Sequence, residues 1–481
     1  MAKKIIILAV VLPALAAGVY WGGERLLNKS ANAVLDRLEA SLPEGATLAH
    51  GALTTNLLRR EVVLSGFEVK APDAVGARTL SATSLRLAGL PWLTRGSFEL
   101  GELVVEGLRV ERNGIVTAGR WAITRPGVQV LNQLAATDRA IGQFSFAAAE
   151  VNDLTVQRSN PVLNVKVDYI RSGALAGGIL QDVVMSGIHA ESQDVSGPLV
   201  KLGLEKLTAD DVDITRVLAA DGNIDLTAPV FSNSVSALAI SKLTLGPDGG
   251  QPITLSGLTL GGAGLADGTR TAIDIKVEEL ITPTAAMSAP ARRHYEALGY
   301  QRMAINLDLA GEYNPQTRLA TLNRFNFVAL NAATVSLKLA LGGIAKPENR
   351  PFDQAAAQDM LSTATLNLFD LAVTDSGYVK RQVAMGAKQL EVEPDIYVGQ
   401  LINRIRPPAG ATGEGAQKLA SLYRAVSSFL LNPGELTISA KPENPVLFMQ
   451  MLMGLGNLPA LAETINISAA NRQLRQSSTA E

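Results

Sequence analysis

One phrase recurs in this chain and limits what it can fold into. It reads Val62-Val-Leu-Ser-Gly66-Phe-Glu-Val69, Leu103-Val-Val-Glu-Gly107-Leu-Arg-Val110, Val183-Val-Met-Ser-Gly187-Ile-His-Ala190 and Ile253-Thr-Leu-Ser-Gly257-Leu-Thr-Leu260. Residues four and two before each glycine are apolar, and those one and three after it are apolar or small. In a regular strand these two sets face opposite sides of the sheet. Two arrangements fit the pattern. A bulge at the glycine, a slip of one residue, would return both sets to one face and bend the strand. Alternatively the strand is buried on both faces. The bulge is favoured, because Glu68, Glu106, Arg109 and His189 would be costly to bury without partners. The glycines keep no fixed period, which argues against a propeller or a helical solenoid. Repeated bends curve a sheet into a trough or an open barrel. On its apolar side Leu64, Phe67, Leu108, Val110, Leu258 and Leu260 are the candidate groove residues, although a dry core explains them as readily.

The surrounding residues read as the same kind of structure. Over 46–345 short runs of Val, Ile, Leu and Thr alternate with polar residues and are broken by Gly, Asp-Gly and Asn-Gly, which is strand and turn chemistry. Weaker strands are expected at Leu154–Val156, Leu163–Val167, Val212–Ile214, Leu243–Leu245, Ile273–Val277, Ile305–Leu309 and Val335–Leu339. The last three alternate strictly, as antiparallel strands with one wet face do. Two helical inserts are expected, Val128–Gln143 and Ala289–Tyr300. From 346 to 468 the texture turns α/β. Helices are expected at Val379–Gln389, Pro394–Ile405, Ala416–Leu431 and Val446–Gly454, with a strand at Glu435–Ala440. Met449, Met451 and Met453 read as core packing more readily than as an adaptable surface. The polar residues 469–481 are expected to be a disordered tail.

The amino terminus has a different character. Lys3-Lys4 precedes an apolar run, Ile5–Trp21, in residues 1–23. At about 1.5 Å per residue Ile5–Gly23 is just long enough to cross a hydrocarbon core of about 30 Å. The lysines place the start on the cytoplasmic side and Tyr20-Trp21 suit the far interface. Ile5, Leu8, Val11, Leu15, Tyr20 and Trp21 are the expected anchor residues. A cleaved signal peptide ending at Ala14-Leu15-Ala16 is the competing reading, but the apolar run continues past that site. Residues 24–45 read as a connecting helix, with Leu27, Ala31, Leu35, Leu38 and Leu42 at helical spacing.

Composition removes whole classes of chemistry. The chain holds no cysteine and three histidines far apart, and its net charge is -2. There is thus no disulfide framework, thiolate metal site or thiol nucleophile, and no general attraction to nucleic acid. No phosphate-cradling loop, zinc-protease helix or nucleophile elbow occurs. Asp210-Asp211-Val-Asp213 lacks the glycine turn of a calcium loop. Arg59-Arg60 and Arg292-Arg293-His294 could each touch a phosphate or a lipid head group, but read first as surface. No cofactor, metal or catalytic residue is expected, and the chain does not read as an enzyme.

One stretch resembles a known family. Gly51-Ala-Leu-Thr-Thr-Asn-Leu-Leu-Arg-Arg-Glu-Val-Val-Leu-Ser-Gly-Phe-Glu-Val69 is followed by Leu85-Arg-Leu-Ala-Gly-Leu-Pro-Trp-Leu-Thr-Arg-Gly96 and by Leu100-Gly-Glu-Leu-Val-Val-Glu-Gly-Leu-Arg-Val-Glu-Arg112. With the anchor, residues 1–115 resemble the start of AsmA-like bacterial envelope proteins. The resemblance implies a single-pass inner-membrane protein with its bulk in the periplasm. It also implies a β-groove of the sort implicated in phospholipid movement. The helical carboxy-terminal third departs from that family and is similar to uncharacterised single-anchor periplasmic proteins of proteobacteria. The expectation is therefore a mainly β chain with helices (α+β): an amino-terminal transmembrane helix, a curved antiparallel sheet or open groove with glycine bulges, and a helix-rich carboxy-terminal part. Its partners would be the bilayer, a phospholipid or other lipid, or an envelope protein, and not nucleic acid. The rival to lipid handling is a structural scaffold that binds a protein partner and no lipid.

Overall fold

The structure is a computed structural model. It describes residues 45–88, 101–126, 145–214, 235–264, 271–344, 362–406 and 412–473, apart from 57–58, 60, 74–75, 112–113, 160–161 and 194–196. The expected anchor, connecting helix and helix at Val128–Gln143 lie outside the described residues, as does 474–481. The protein is mainly β, with extended antiparallel pairing, no closure into a barrel, and six α-helices among the described residues. It divides into two compact units, residues 1–250 and 251–481.

The first unit is one long meander. Its strands are β1 (Thr47–His50), β2 (Leu53–Asn56), β3 (Glu61–Asp73), β4 (Gly76–Ala88), β5 (Glu102–Glu111), β6 (Ile115–Thr124), β7 (Ala148–Ser159) and β8 (Val162–Ser172). The two-residue β9 (Leu175–Ala176) and β10 (Ile179–Leu180) then lead to β11 (Val183–Gln193), β12 (Val200–Asp210), the short β13 (Val212–Asp213) and β14 (Ala237–Pro247). Each long strand pairs antiparallel with its neighbours in the order β3-β4-β5-β6-β7-β8-β11-β12-β14. On its outer side β3 carries β1 and β2 end to end, and β9, β10 and β13 form a small separate sheet.

The second unit continues the strand pattern and adds helices. β15 (Ile253–Gly261), β16 (Ala272–Pro283), β17 (Arg302–Asn314), β18 (Leu319–Ala329), β19 (Ala333–Gly342) and β20 (Thr365–Asp375) pair in sequence. β20 then pairs with β21 (Glu435–Ala440) and the short β22 (Val446–Leu447), and β21 with β23 (Ile467–Arg472). The helices are α1 (Ala289–Ala297), α2 (Tyr378–Gln389), α3 (Pro394–Ile405), α4 (Glu414–Leu431), α5 (Phe448–Gly454) and α6 (Leu458–Thr464). Pro290, Pro394 and Pro459 sit in first turns, where the missing amide costs nothing. Phe429 and Ala425 of α4 bury against Leu436 of β21, with Val373 and Ile438 beside them.

Two expected boundaries move. The break placed between 345 and 346 falls inside the second unit, because β19 pairs with β20 over ten residues. The disordered tail expected from 469 is a strand as far as Arg472, held by six paired positions on β21. Asn471 further donates from Nδ2 to the Ser428 hydroxyl at 3.0 Å. Backbone pairing, which no side-chain pattern in Ser-Ala-Ala-Asn-Arg announces, makes that strand.

Candidate functional site

The recurring phrase does what its spacing requires, by a different route. In β3 the buried side chains are Val62, Leu64, Phe67 and Val69, and in β4 they include Ala82, Leu85 and Leu87. The step of three at Leu64–Phe67 and again at Ala82–Leu85 shows that both strands change phase at one level. Because each carries its own additional residue, the register stays constant on either side of the change. The expected slip in pairing is therefore absent from β3, β5 and β11: flanking pairs such as Ser65↔Ser84 with Phe67↔Ala82, and Ser186↔Lys206 with Ile188↔Leu204, keep one register. A true register shift occurs instead in the second unit. There Glu278 and Glu279 bulge out of β16 against β17, and the Glu279 amide donates to Asn306 Oδ1 at 2.6 Å.

In the first unit the phase change repeats on every strand, and the positions face one another. The register aligns Gly51, Gly66, Thr83, Gly107, Gly119, Asp153, Asp168, Gly187, Glu205 and Lys242 in a row across the sheet. Every second long strand places its member in the left-handed region: Gly66 (φ 59), Gly107 (φ 59), Asp153 (φ 51), Gly187 (φ 61) and Lys242 (φ 50). Glycine is needed where space is also short. A Cβ on Gly107 would lie 2.6 Å from Thr83 Oγ1, and one on Gly187 would lie 2.1 Å from Asp168 Oδ2. Side chains add hydrogen bonds at this crease: Thr83 donates to the Glu106 carbonyl at 2.9 Å, and Ser65 to that of Ala52 at 2.9 Å.

Asp153 and Lys242 are members that the glycine signal does not find. Their strands still carry the apolar spacing, as Ala149, Val151, Leu154 and Val156 and as Leu238, Ile240, Leu243 and Leu245. The crease thus gives each of nine strands four small or apolar positions on one face, two on either side of the row.

The opposite face is mainly polar, with its charges paired, although Val104 of β5 and Ala122 of β6 are buried there side by side. Arg86 of β4 bridges Glu61 of β3 at 3.6 Å and Glu102 of β5 at 2.8 Å. Arg120 of β6 reaches the same Glu102 at 3.4 Å and Glu150 of β7 at 3.3 Å. This ladder of alternating charge runs over five strands. Farther along, Lys166 holds Asp168 at 2.8 Å; this hydrogen bond lowers the Asp168 carboxyl below the usual range and raises the Lys166 ammonium above its own.

Burial on the apolar face is uneven. Leu64 is 1% exposed, Phe67 3%, Leu87 0% and Val105 0%, each worth about 1.5–3 kcal/mol against leaving it in water. Leu108 and Val110 are half-buried, and on β7, β11 and β14 every apolar position keeps part of its surface, up to Leu245 at 37%. Of the six candidate groove residues, the register brings Phe67 and Leu108 onto one line across β4, and Leu64 and Val110 onto the same face. Leu258 and Leu260 belong to the second unit, where Leu258 faces Val277 and Leu260, which is buried, faces Ile275. In that unit helices cover the apolar face over β20, β21 and β23.

The remaining candidates gain no chemistry. Among the described residues no group of three or more His, Asp or Glu could hold a metal ion. Asp211 takes a left-handed φ of 48, and its carboxylate accepts from the Ser236 hydroxyl at 3.2 Å, which makes it a strand-end turn. His294 meets the Gln382 side chain at 3.2 Å on the surface. A trough of about 430 Å³ is lined by Arg324, Asn326, Ser336, Lys338, Asp370 and Ser439. Two of its charges are paired, Arg324 with Asp308 at 2.7 Å and Asp274 at 3.0 Å, and Asp370 with Lys441 at 3.4 Å. The methionine run is not core as a whole: Met451 packs inward, while Met449 and Met453 are exposed.

The anchor residues Ile5, Leu8, Val11, Leu15, Tyr20 and Trp21 are outside the described residues. Among the described residues no helix is long and apolar enough to cross a membrane. No curated protein matches the chain. A family model described as "Uncharacterized protein" matches residues 326–472, from within β18 to the last residue of β23.

Proposed function

We propose that the first unit holds lipid acyl chains along the apolar face of its sheet, in a single-pass, membrane-anchored protein of the bacterial envelope. The observation that supports it most is the continuous apolar face of nine strands, partly exposed on β7, β11 and β14, against a mainly polar face whose charges are paired across its strands. Eight interstrand steps of about 4.8 Å make a path of about 38 Å. One leaflet of a hydrocarbon core is about 15 Å deep, half of the ~30 Å bilayer value, so the path exceeds an acyl chain in length. The apolar anchor expected at Ile5–Trp21 and the resemblance to AsmA-like proteins lead to the same reading. The role is carriage or shielding of lipid and includes no bond-breaking step.

The full chain, purified in a non-lipid detergent and extracted with organic solvent, should release phospholipid in stoichiometric amount by mass spectrometry. A chain from which no lipid is recovered, and which takes up none on incubation with phosphatidylcholine vesicles, would favour the scaffold that binds a protein partner.

A further inference from the structure

We propose that α5 and the start of α6 form a membrane-docking tip that seats in the outer layer of a phospholipid bilayer. From Asn444 to Ala462 the sequence holds no charged residue. Within that stretch Leu447 (37%), Met449 (46%), Leu452 (48%), Met453 (75%), Leu455 (59%) and Leu458 (41%) are exposed. The tip is nonetheless ordered from beneath: Val446 is buried with Leu366, Ala440 and Ile465, and Met451 and Leu461 pack on them. The exposed side chains are thus the outward side of a folded element.

Three properties select a bilayer as the occupant. The first is charge: an apolar surface free of charged side chains matches hydrocarbon, in which charge is costly. The second is backbone satisfaction. The Phe448 amide donates to the Ala364 carbonyl at 2.8 Å, Leu455 to Leu452 at 3.3 Å, Asn457 to Gly454 at 2.9 Å and Leu461 to Asn457 at 3.1 Å. Asn457 Oδ1 also accepts from the Ala460 amide. These bonds pair part of the tip's backbone and so ease the demand that lipid sets on backbone groups. The third is composition. The exposed apolar side chains are Leu and Met, beside exposed Gln450 and Asn457, with none of the Tyr, Trp or Arg that dominate the energetics of protein interfaces. The chain's own expected anchor brings it to a membrane. This docking is separate from acyl binding in the first unit, since a scaffold could dock in the same way.

The absence of native cysteine makes the test direct. Full-length chains carrying Met449→Cys, Met453→Cys or, as control, Glu296→Cys would be labelled with an environment-sensitive dye and reconstituted in phosphatidylcholine vesicles. Glu296 is exposed on α1, which packs at the β18–β19 turn, the other end of the strands from Leu341, Leu366 and the tip. At Met449 and Met453 the dye should shift to the blue and lose at least half its emission to doxyl-labelled lipid, with no dependence on salt, while the Glu296 label is unaffected. Adding Met453→Asp and Leu455→Asp to the Met449→Cys chain should abolish the quenching with circular dichroism unchanged. A dye at Met453 that stays in water would overturn the proposal. A blue shift without lipid quenching would overturn it equally, since a second copy or another protein would then cover the tip.

Discussion

The crease can be taken apart by alanine. Gly187 combines two constraints: its φ is 61, and a Cβ would lie 2.1 Å from Asp168 Oδ2, 2.6 Å from Cγ and 2.9 Å from Cβ. Because the Asp168 Cβ is itself too close, turning the carboxylate away does not relieve the clash and the backbone has to move. Left-handed strain on an L residue is about 1–2 kcal/mol, and overpacking adds about 1–3 kcal/mol. Gly187→Ala should therefore cost about 2–5 kcal/mol. Two controls separate the causes. Gly177 has φ 59 with nothing within 4 Å of a Cβ, so Gly177→Ala should show the strain alone, about 1–2 kcal/mol. Gly203 has ordinary φ, and its Cβ would meet only the Thr244 hydroxyl at 2.8 Å. That group can swing aside, so Gly203→Ala should cost under about 1 kcal/mol. In an Asp168→Gly background, Gly187→Ala should fall back to the cost of strain alone, as a double-mutant cycle for contacting residues would show. The assay is urea unfolding by circular dichroism of the detergent-solubilised chain. With a slope of about 2 kcal/mol per molar, the Gly187→Ala midpoint should drop by about 1–2.5 M. A Gly187→Ala shift no greater than that of Gly177→Ala would refute the close packing of the crease, and no shift in either would refute its left-handed backbone.

Further expectations follow from the same contacts. Lys242→Gly relieves a left-handed lysine and should leave stability unchanged or raise it by up to about 1 kcal/mol, whereas Lys206→Gly in the regular part of β12 should lower it by about 1 kcal/mol; the same urea assay reads both. Glu102 joins Arg86 to Arg120, so Glu102→Ala should cost about 0.5–1.5 kcal/mol, an effect that shrinks in high salt. Burial raises the Tyr300 phenol above its ordinary value near 10, although Arg381, stacked 4.4 Å from the ring centre, pulls the other way. A raised acid keeps its proton in the folded state, so this contribution is intact below pH 10 and fades as pH rises past it. Tyr300→Phe should flatten the alkaline fall in thermal stability, while costing about 1 kcal/mol at neutral pH through the lost bond to the Asn331 carbonyl.

How much of this is legible in the residues depends on how local the signal is. Glu435–Ala440 and Pro394–Ile405 match their expected bounds, because Asn-Pro-Gly and a first-turn proline punctuate them from within. The return of the apolar sets to one face is equally local, since the spacing about Gly66, Gly107 and Gly187 dictates it. Constant register is not local: whether a phase change becomes a slip is decided by the neighbouring strand, which here changes phase at the same level. Asp153 and Lys242 carry no glycine to mark them, yet the break in apolar spacing around each was present to be read. β20 is obscured by the irregularity near Asn367, where pairing with β19 shifts by one between Leu341 and Ala340. β23 exists because β21 offers an open edge. The exposure of Met453 beside the buried Val446 follows from how α5 seats on β20 and β22, which no helical spacing over seven residues could announce.

The central claim is that lipid lies on one face of the first sheet and not on the other, and adjacent residues of β11 can decide it. Ile188 belongs to the apolar set, and His189, one residue on, lies on the polar face opposite Lys166 and Gly203. A photocrosslinking amino acid placed at Ile188 in the membrane-embedded full chain should yield a lipid adduct by mass spectrometry, and the same group at His189 should yield none. Adducts at both positions in equal amount, or at neither, would contradict the account.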